Sequence, residues 1–260
     1  MKYIDTSNGL ELLTIHEPPF GEILGGFFTR KGGVSPTPFD SLNLSVSTGD
    51  AKHNVVENRD RIFDAIDRPV SSVYDVWQIH SDRVVCTNEP KVDGQDLEKA
   101  DAIFSSNPDV TLLMRFADCV PILIYDPIKK VVGIIHAGWQ GTINQIARKS
   151  VETITHRYGC VPGDIHAVIG PSIGPEQYEV RENVYLFANN LFPENDKIIL
   201  QKNGKKFLNL WEANEELLKR SGVRHITQTH VCTACDTGRW YSHRAEAGKT
   251  GRFAAVICLK

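Results

Sequence analysis

Apolar residues fall along this chain in short runs divided by turn-forming clusters. Ile23 to Thr29 has a strand pattern and gives way to Arg30-Lys31-Gly32-Gly33-Val34-Ser35-Pro36-Thr37-Pro38, a loop dense in Gly and Pro. Val55, Ile62, Ala65 and Ile66 recur at helical spacing and predict a helix over 54–66, while 72–79 carries β-formers such as Val73 and Trp77. Three nearly continuous apolar runs follow: Val110 to Phe116, Val120 to Tyr125 and Val131 to Ile135. They are bounded by Asn107-Pro108-Asp109 and Asp126-Pro127-Ile128-Lys129-Lys130, so the last two predict a hairpin. Their unbroken apolarity predicts strands covered on both faces. Ile143, Ile146, Ala147, Val151 and Ile154 predict one helix that stops at Tyr158-Gly159. Beyond it the pattern gives a strand at 167–169, helices at 183–191 and 210–220, and strands at 226–231 and 252–259. There is no repeat, no linker and no regular βαβ rhythm. The expected fold is α/β (α+β), a mixed-sheet sandwich with flanking helices, in one domain over 1–260.

The hairpin brings two metal-type side chains together. With Pro127 to Lys130 as the turn, antiparallel partners have residue numbers summing to 257. Cys119 then faces Gly138 and His136 faces Pro121, so Cys119 and His136 are diagonal neighbours on one face. Diagonal Cα atoms lie ~7–8 Å apart, a gap that a metal with bonds of ~2.0–2.3 Å to N and S can bridge. A slip of one residue would put the two on opposite faces. Spacing leaves open whether they are ligands or partly buried core residues, and it does not nominate a third ligand. His80, in Trp77-Gln78-Ile79-His80-Ser81-Asp82, ends a strand and is one candidate. Asp118, beside the cysteine, should point the other way unless a bulge re-aims it toward a histidine. After His136, Ala137-Gly138-Trp139-Gln140-Gly141-Thr142 offers glycines that let a substrate approach the backbone.

Composition narrows the setting. The chain is 41% hydrophobic and 23% charged with a net charge of -3, which argues against a general nucleic-acid binder. No run reaches the ~18 apolar residues of a membrane span, and Met1-Lys2-Tyr3-Ile4-Asp5 lacks the core of a secretory signal. A cytoplasmic address is expected, with all six cysteines reduced. Cys232-Thr233-Ala234-Cys235 near His230 then reads as a solvated turn with free thiols or as half of a structural zinc site, for which His225 or His243 could supply a ligand. The segment Tyr241 to Arg252, with Arg244, Lys249 and Arg252, reads as an exposed turn or as an anion clamp, and Arg30 as a second basic lip.

The motifs resemble a known family. Thr29-Arg30-Lys31-Gly32-Gly33-Val34-Ser35 with Ser41-Leu42-Asn43-Leu44, Gln78-Ile79-His80-Ser81, Ala117-Asp118-Cys119-Val120-Pro121 and His136-Ala137-Gly138-Trp139 are similar to those of the YlmD/YfiH family, once labelled multicopper polyphenol oxidoreductase (laccase domain). So are Ile169 to Pro175 and Lys249-Thr250-Gly251-Arg252, in order across essentially the whole chain. The resemblance implies a metal, zinc or copper, held by His80, Cys119 and His136, and a fold likened to the cytotoxic necrotising-factor deamidases. It implies purine nucleoside phosphorolysis, adenosine deamination and methylthioadenosine phosphorolysis, with purine nucleosides and phosphate as partners. Many members carry Cys before Tyr-Glu-Val, where this chain has Glu176-Gln177-Tyr178.

Three protein ligands leave a position open, the arrangement of a catalytic zinc. That suits attack on C6 of adenine with Asp118 moving protons, and Cys119 belongs to the same chemistry. Arg30, Asn43, Gln78, Arg244 and Arg252 are the candidate substrate and phosphate residues. Copper-dependent phenol oxidation is the competing enzyme reading, although the nine His lack His-x-His pairs. A Cys119/His136 amidase or peptidoglycan-editing hydrolase needs no metal, and a metal-stabilised binding module is the non-enzymatic alternative.

Overall fold

The computed structural model describes residues 1–15, 18–92, 94–193 and 195–260. Its strands are Lys2–Asp5 (β1), Glu11–Thr14 (β2), Ile23–Phe28 (β3), Val73–Tyr74 (β4), Val84–Cys86 (β5), Ala102–Ser105 (β6), Thr111–Phe116 (β7), Val120–Asp126 (β8), Val131–Ala137 (β9), His166–Ile169 (β10), Ile199–Lys202 (β11), Lys205–Leu208 (β12), His225–Gln228 (β13) and Phe253–Leu259 (β14). Its helices are Lys52–Ala65 (α1), Trp139–Ile143 (α2), Ile146–Tyr158 (α3), Glu182–Leu191 (α4) and Leu210–Arg220 (α5).

Two six-stranded sheets run in the orders β1-β2-β3-β14-β7-β4 and β13-β10-β8-β9-β6-β5, and β11 with β12 forms a separate hairpin. Most pairs are antiparallel, but β4/β7, β5/β6 and β10/β13 are parallel, so both large sheets are mixed. Alternation along the strands sorts side chains into separate cores. Leu112, Met114, Phe116, Leu123, Tyr125, Val132, Ile134, Ala255 and Ile257 fill the space between the sheets. Ile122, Ile124 and Ile135 point the other way, against Val151 and Ile154 of α3 and Leu217 and Leu218 of α5. Leu113 and Val256 pack with Ile62 and Phe63 of α1 on the outer face of the first sheet. The layers therefore run helix, sheet, sheet, helices: the sandwich with flanking helices that the pattern predicts. No helix among the described residues is long and apolar enough to cross a membrane.

The structure departs from the sequence pattern where side chains replace main-chain pairing. The strand expected over 72–79 stops at Tyr74. Further on, the Gln78 amide takes the place of a ladder rung, donating to the Arg115 carbonyl at 2.8 Å and accepting from the Arg115 N–H at 2.9 Å. The helix expected through Ile143 and Ile154 is two helices, because Gln145 adopts φ 59° between them. The strand expected over 226–231 ends at Gln228, before the chain turns at His230 with φ 51°. The short strands β1, β2 and β5 and the hairpin β11/β12 are not evident from the pattern.

Close packing beneath the hairpin is testable at Gly133, whose strand faces the Phe104 ring of β6. A Cβ on Gly133 would stand 2.1 Å from that ring. Phe104 is fully buried and has no room to retreat. Gly133→Ala should therefore cost about 1–3 kcal/mol through overpacking, read as a lowered urea midpoint. An unchanged midpoint would show that the sheet yields there.

Candidate metal centre

The β8/β9 register pairs Val120 with Ala137 and Pro121 with His136, the register that a turn at Pro127 to Lys130 requires. Cys119 leads into β8 on the same face as Leu123 and Tyr125, and His136 lies near the end of β9 on the face of Val132 and Ile134. Both side chains thus point between the sheets, at the rim where the apolar filling stops. His80 reaches them from the loop after Gln78. Its Nε2 lies 3.8 Å from the Cys119 Sγ, and its ring centroid is 4.9 Å from that of His136. One donor atom from each of the three residues falls within 4.8 Å of the others. Gly138 makes room for this: a Cβ on it would be 2.8 Å from the Cys119 Sγ and 3.3 Å from the His80 Cδ2.

What fixes the histidines is Asp101, fully buried just before β6. Its Oδ1 accepts from His136 Nδ1 at 2.8 Å and from the His80 amide at 3.0 Å. Its Oδ2 accepts from the Ser81 amide at 2.6 Å, the Ser81 hydroxyl at 2.7 Å and the Ile79 amide at 3.2 Å. The bond to His136 assigns the ring proton to Nδ1 and leaves Nε2 as the donor atom toward Cys119, the usual arrangement behind a metal-bound histidine. The bonds to residues 79–81 hold His80 at φ 59°, a left-handed conformation uncommon outside glycine. Burial opposes the Asp101 charge, but the His136 hydrogen bond and charge and the Ser81 donors outweigh it and bring the carboxyl to about 2. In sequence, Asp101 is a lone acid opening the apolar run Ala102-Ile103-Phe104, and that isolation is the signal by which it could have been found.

The cluster is electrostatically prepared for a cation. Burial would push the Cys119 thiol up, yet the His136 charge and the hydrogen bonds from His136 and His80 bring it down to about 6. Burial would lower His136, yet Cys119 and Asp101 raise it to about 9. Each group favours the charged form of the other, which drives the metal-free pair toward thiolate and imidazolium, and a metal takes the place of the shared proton.

The other predicted residues divide. Arg252 lies beside the cluster: burial lowers its pKa, while the negative charges of Cys119, Asp118 and Glu246 counter that. Arg244 is exposed, donates to the Gln177 and Glu179 carbonyls and sits 5.0 Å over the Tyr178 ring. Arg30 turns away. It is buried, bonded to the Asp40 and Thr237 carbonyls and to Glu246, and stacked 4.4 Å from the Tyr241 ring. Asn43 is fully buried, donating to Ser45, Thr48 and Asp50 and accepting from the Arg252 amide at 2.9 Å, so it positions Arg252 rather than meeting a ligand. Gln78 is spent on the Arg115 backbone. Asp118 has both oxygens engaged, by the Thr233 hydroxyl at 2.7 Å and the Arg244 amide at 2.6 Å. Asp118 was expected to point away from the cluster unless a bulge re-aimed it toward a histidine; the carboxylate bonded to His136 is that of Asp101. Tyr178, not singled out by its sequence context, is held protonated by burial and by nearby Cys119.

The thiols expected free at the Cys-x-x-Cys are joined. Cys232 and Cys235 form a disulfide across a turn that brings their Cα atoms to 5.2 Å. His225 is stacked on His166, and among the described residues the candidate metal group is that of His80, Cys119 and His136.

This mixed-sheet sandwich, with a His, Cys, His cluster where the hairpin opens, belongs to the family described as multi-copper polyphenol oxidoreductase laccase, whose model matches residues 25–260. Among its relatives, the purine nucleoside phosphorylase YlmD of Bacillus subtilis is 37% identical over 92% of this chain and 89% of its own length. A purine nucleoside phosphorylase of Deinococcus radiodurans is 36% identical over 98% of this chain and 95% of its own. The crystal structure of YlmD from Geobacillus stearothermophilus superimposes with a TM-score of 0.92 at 32% identity, covering 99% of this chain and 98% of that one.

The roles given to Asp101 and Gly138 have a direct test. Asp101→Asn turns an NH2 group toward backbone donors, and Gly138→Ala drives a methyl group into the Cys119 sulfur. Each should weaken metal binding roughly 10-fold or more, measured by competition with a chromophoric chelator. Unaltered affinity in both variants would remove these residues from the site.

Proposed function

We propose that this protein is a zinc-dependent purine nucleoside phosphorylase that also deaminates adenosine and cleaves methylthioadenosine, with purine nucleosides and inorganic phosphate as substrates. One observation carries the reading: a half-buried cationic side chain, Arg252, stands beside a three-donor cluster at the open rim of the sandwich. The names of the relatives support the same substrates. Two imidazole nitrogens and a thiolate fit zinc, whose bonds of ~2.0–2.3 Å put donor atoms roughly 3.3–3.8 Å apart; His80 and Cys119 stand 3.8 Å apart. Bound there, the metal would supply a Lewis acid with an open coordination position.

The chain's own groups account for the rest. In phosphorolysis a phosphate oxygen bonds to C1′ of the ribose, the C1′–N9 bond breaks, and the departing purine takes a proton. Arg252 supplies a fixed positive charge for the phosphate, its backbone held by Asn43. The Tyr178 phenol, kept protonated, is the proton source for the leaving base. Asp118, tied by both oxygens, aims Cys119 and the Arg244 loop instead of carrying protons. Adenosine and methylthioadenosine share the adenine base and differ only at C5′, and inosine differs from adenosine only at C6, which fits one site serving all three reactions.

A second reading has its own observation in favour: the Cys119 and His136 pair resembles the thiolate and imidazolium of a cysteine hydrolase. Metal analysis separates the two. Purified protein should hold about one zinc per chain and Cys119→Ala almost none, and chelation should abolish inosine phosphorolysis until zinc is restored. Activity that survives chelation but falls to alkylation would favour the hydrolase, and phenol turnover tracking copper content would favour the oxidase.

The phosphate assignment is tested separately. Arg252→Ala loses a charged hydrogen-bond partner worth about 1.5–3 kcal/mol, so the phosphate KM should rise at least tenfold while the inosine KM changes less. Arg30→Ala should lower stability and leave the phosphate KM in place. Equal phosphate KM values for wild type and Arg252→Ala would overturn the assignment.

A further inference from the structure

The Cys232-Thr233-Ala234-Cys235 turn plays no part in the chemistry above, yet it is wired to the metal cluster. Thr233 is fully buried between the two cysteines. Its hydroxyl donates to Asp118 Oδ1 at 2.7 Å, and its amide donates to the Ser172 carbonyl at 2.9 Å. From the next turn, the Ile173 amide donates to the Asp118 carbonyl at 2.9 Å. Gly174 presses on the disulfide: a Cβ there would stand 3.0 Å from the Cys232 Sγ. These contacts converge on Asp118, which holds φ 83° directly before Cys119. That conformation is uncommon for a side chain other than glycine and persists only under outside restraint.

The disulfide is poorly placed to act as a staple. It closes a loop of a few residues, and such short loops restrict the unfolded chain little. Cys235 is exposed and Cys232 is half-buried. An external thiolate therefore has access to the Cys235 sulfur, with Cys232 as the leaving group.

We propose that Cys232–Cys235 is a reversible thiol–disulfide exchange site, and that its state sets how tightly the His80, Cys119 and His136 cluster holds its metal. The proposal rests on the metal reading of that cluster. The reacting partner is a dithiol reductant. Its thiolate attacks the Cys235 Sγ, the Cys232–Cys235 bond breaks, and Cys232 leaves as a thiolate that takes up a proton. The second thiol of the reductant then attacks the mixed disulfide, so the reductant leaves as a disulfide and the protein gains two electrons and two protons. Opening the turn frees Thr233 to rotate. Asp118 loses a fixed donor, and the backbone that aims Cys119 loosens.

The test compares zinc affinity, by competition with a chromophoric chelator, in oxidised wild type, phosphine-reduced and desalted wild type, and Cys232→Ser/Cys235→Ser. Reduced wild type and the double variant should bind zinc roughly 10-fold or more weakly than the oxidised protein, the scale of losing a group that orients a ligand. Reoxidation should restore wild type alone. Thr233→Val, which keeps the disulfide but drops the hydroxyl, should bind weakly in both redox states and lose the dependence on them. Thermal unfolding of the metal-free forms separates this from a general loss of fold. Affinities of oxidised and reduced wild type within roughly twofold of one another would overturn the proposal while leaving the metal site intact. So would mass tagging of denatured, air-oxidised protein that finds both thiols free. If oxidised wild type binds no zinc, the metal reading itself fails, and this inference falls with it.

Discussion

The candidate centre depends on one buried carboxylate. Asp101 gives up its hydration inside the protein, a change that costs several kcal/mol for an isolated charge. It recovers this through donors from Ile79, His80, Ser81 and His136. Those donors come from two segments far apart in the chain, so the carboxylate fixes the distance between two histidines that no regular element connects. His80 sits on a loop with a left-handed backbone, and Asp101 is what its backbone N–H bonds to there. The same group sets the proton on His136 and so decides which nitrogen faces Cys119. Strain in the loop, burial of the charge and orientation of the ring are one interaction seen from three sides.

The sandwich explains why the cluster lies where it does. Strands β8 and β9 are buried along their whole length, feeding one core with even positions and another with odd ones. A polar ligand in mid-strand would interrupt that packing. At the open end the alternation still aims Cys119 and His136 between the sheets, but the apolar filling gives out and His80 can enter from the side. Gly138 then keeps the spot free of a side chain, which is why the chain can turn into α2 directly against the sulfur.

Much of this was legible in the sequence, and what was not has physical reasons. The hairpin register follows from a short turn with a proline and two lysines between apolar runs, and the structure has that register. The pairing of Cys119 with His136 came from the register, while His80 needed the resemblance, because a residue brought in by a loop leaves no periodic mark. Asp101 escaped because an acid at a strand start reads as a solvated end. Arg30, Asn43 and Gln78 were read as ligand-facing from motif position, yet each is consumed by internal hydrogen bonds. A motif residue that positions the backbone looks the same in sequence as one that touches substrate. Arg252 differs because Asn43 and its own neighbours take up its backbone and part of its guanidinium beside the cluster. The disulfide was missed because compartment reasoning spoke of free thiols, and two residues of separation carry no information about which sulfurs meet.

The family's description raises the question of oxidation by several coppers, and the placement of the described histidines bears on it. Among the described residues only His80, Cys119 and His136 gather as a set of donors. His166 and His225 stack on one another at the far edge of the second sheet, His230 packs on Trp211, and His243 lies against Gly248. Reduction of oxygen to water needs four electrons, which multicopper enzymes gather through a mononuclear centre feeding a trinuclear one. A single three-donor cluster does not by itself supply that relay. The donor set, the open rim and the adjacent cation suit a metal that polarises a substrate while keeping one oxidation state.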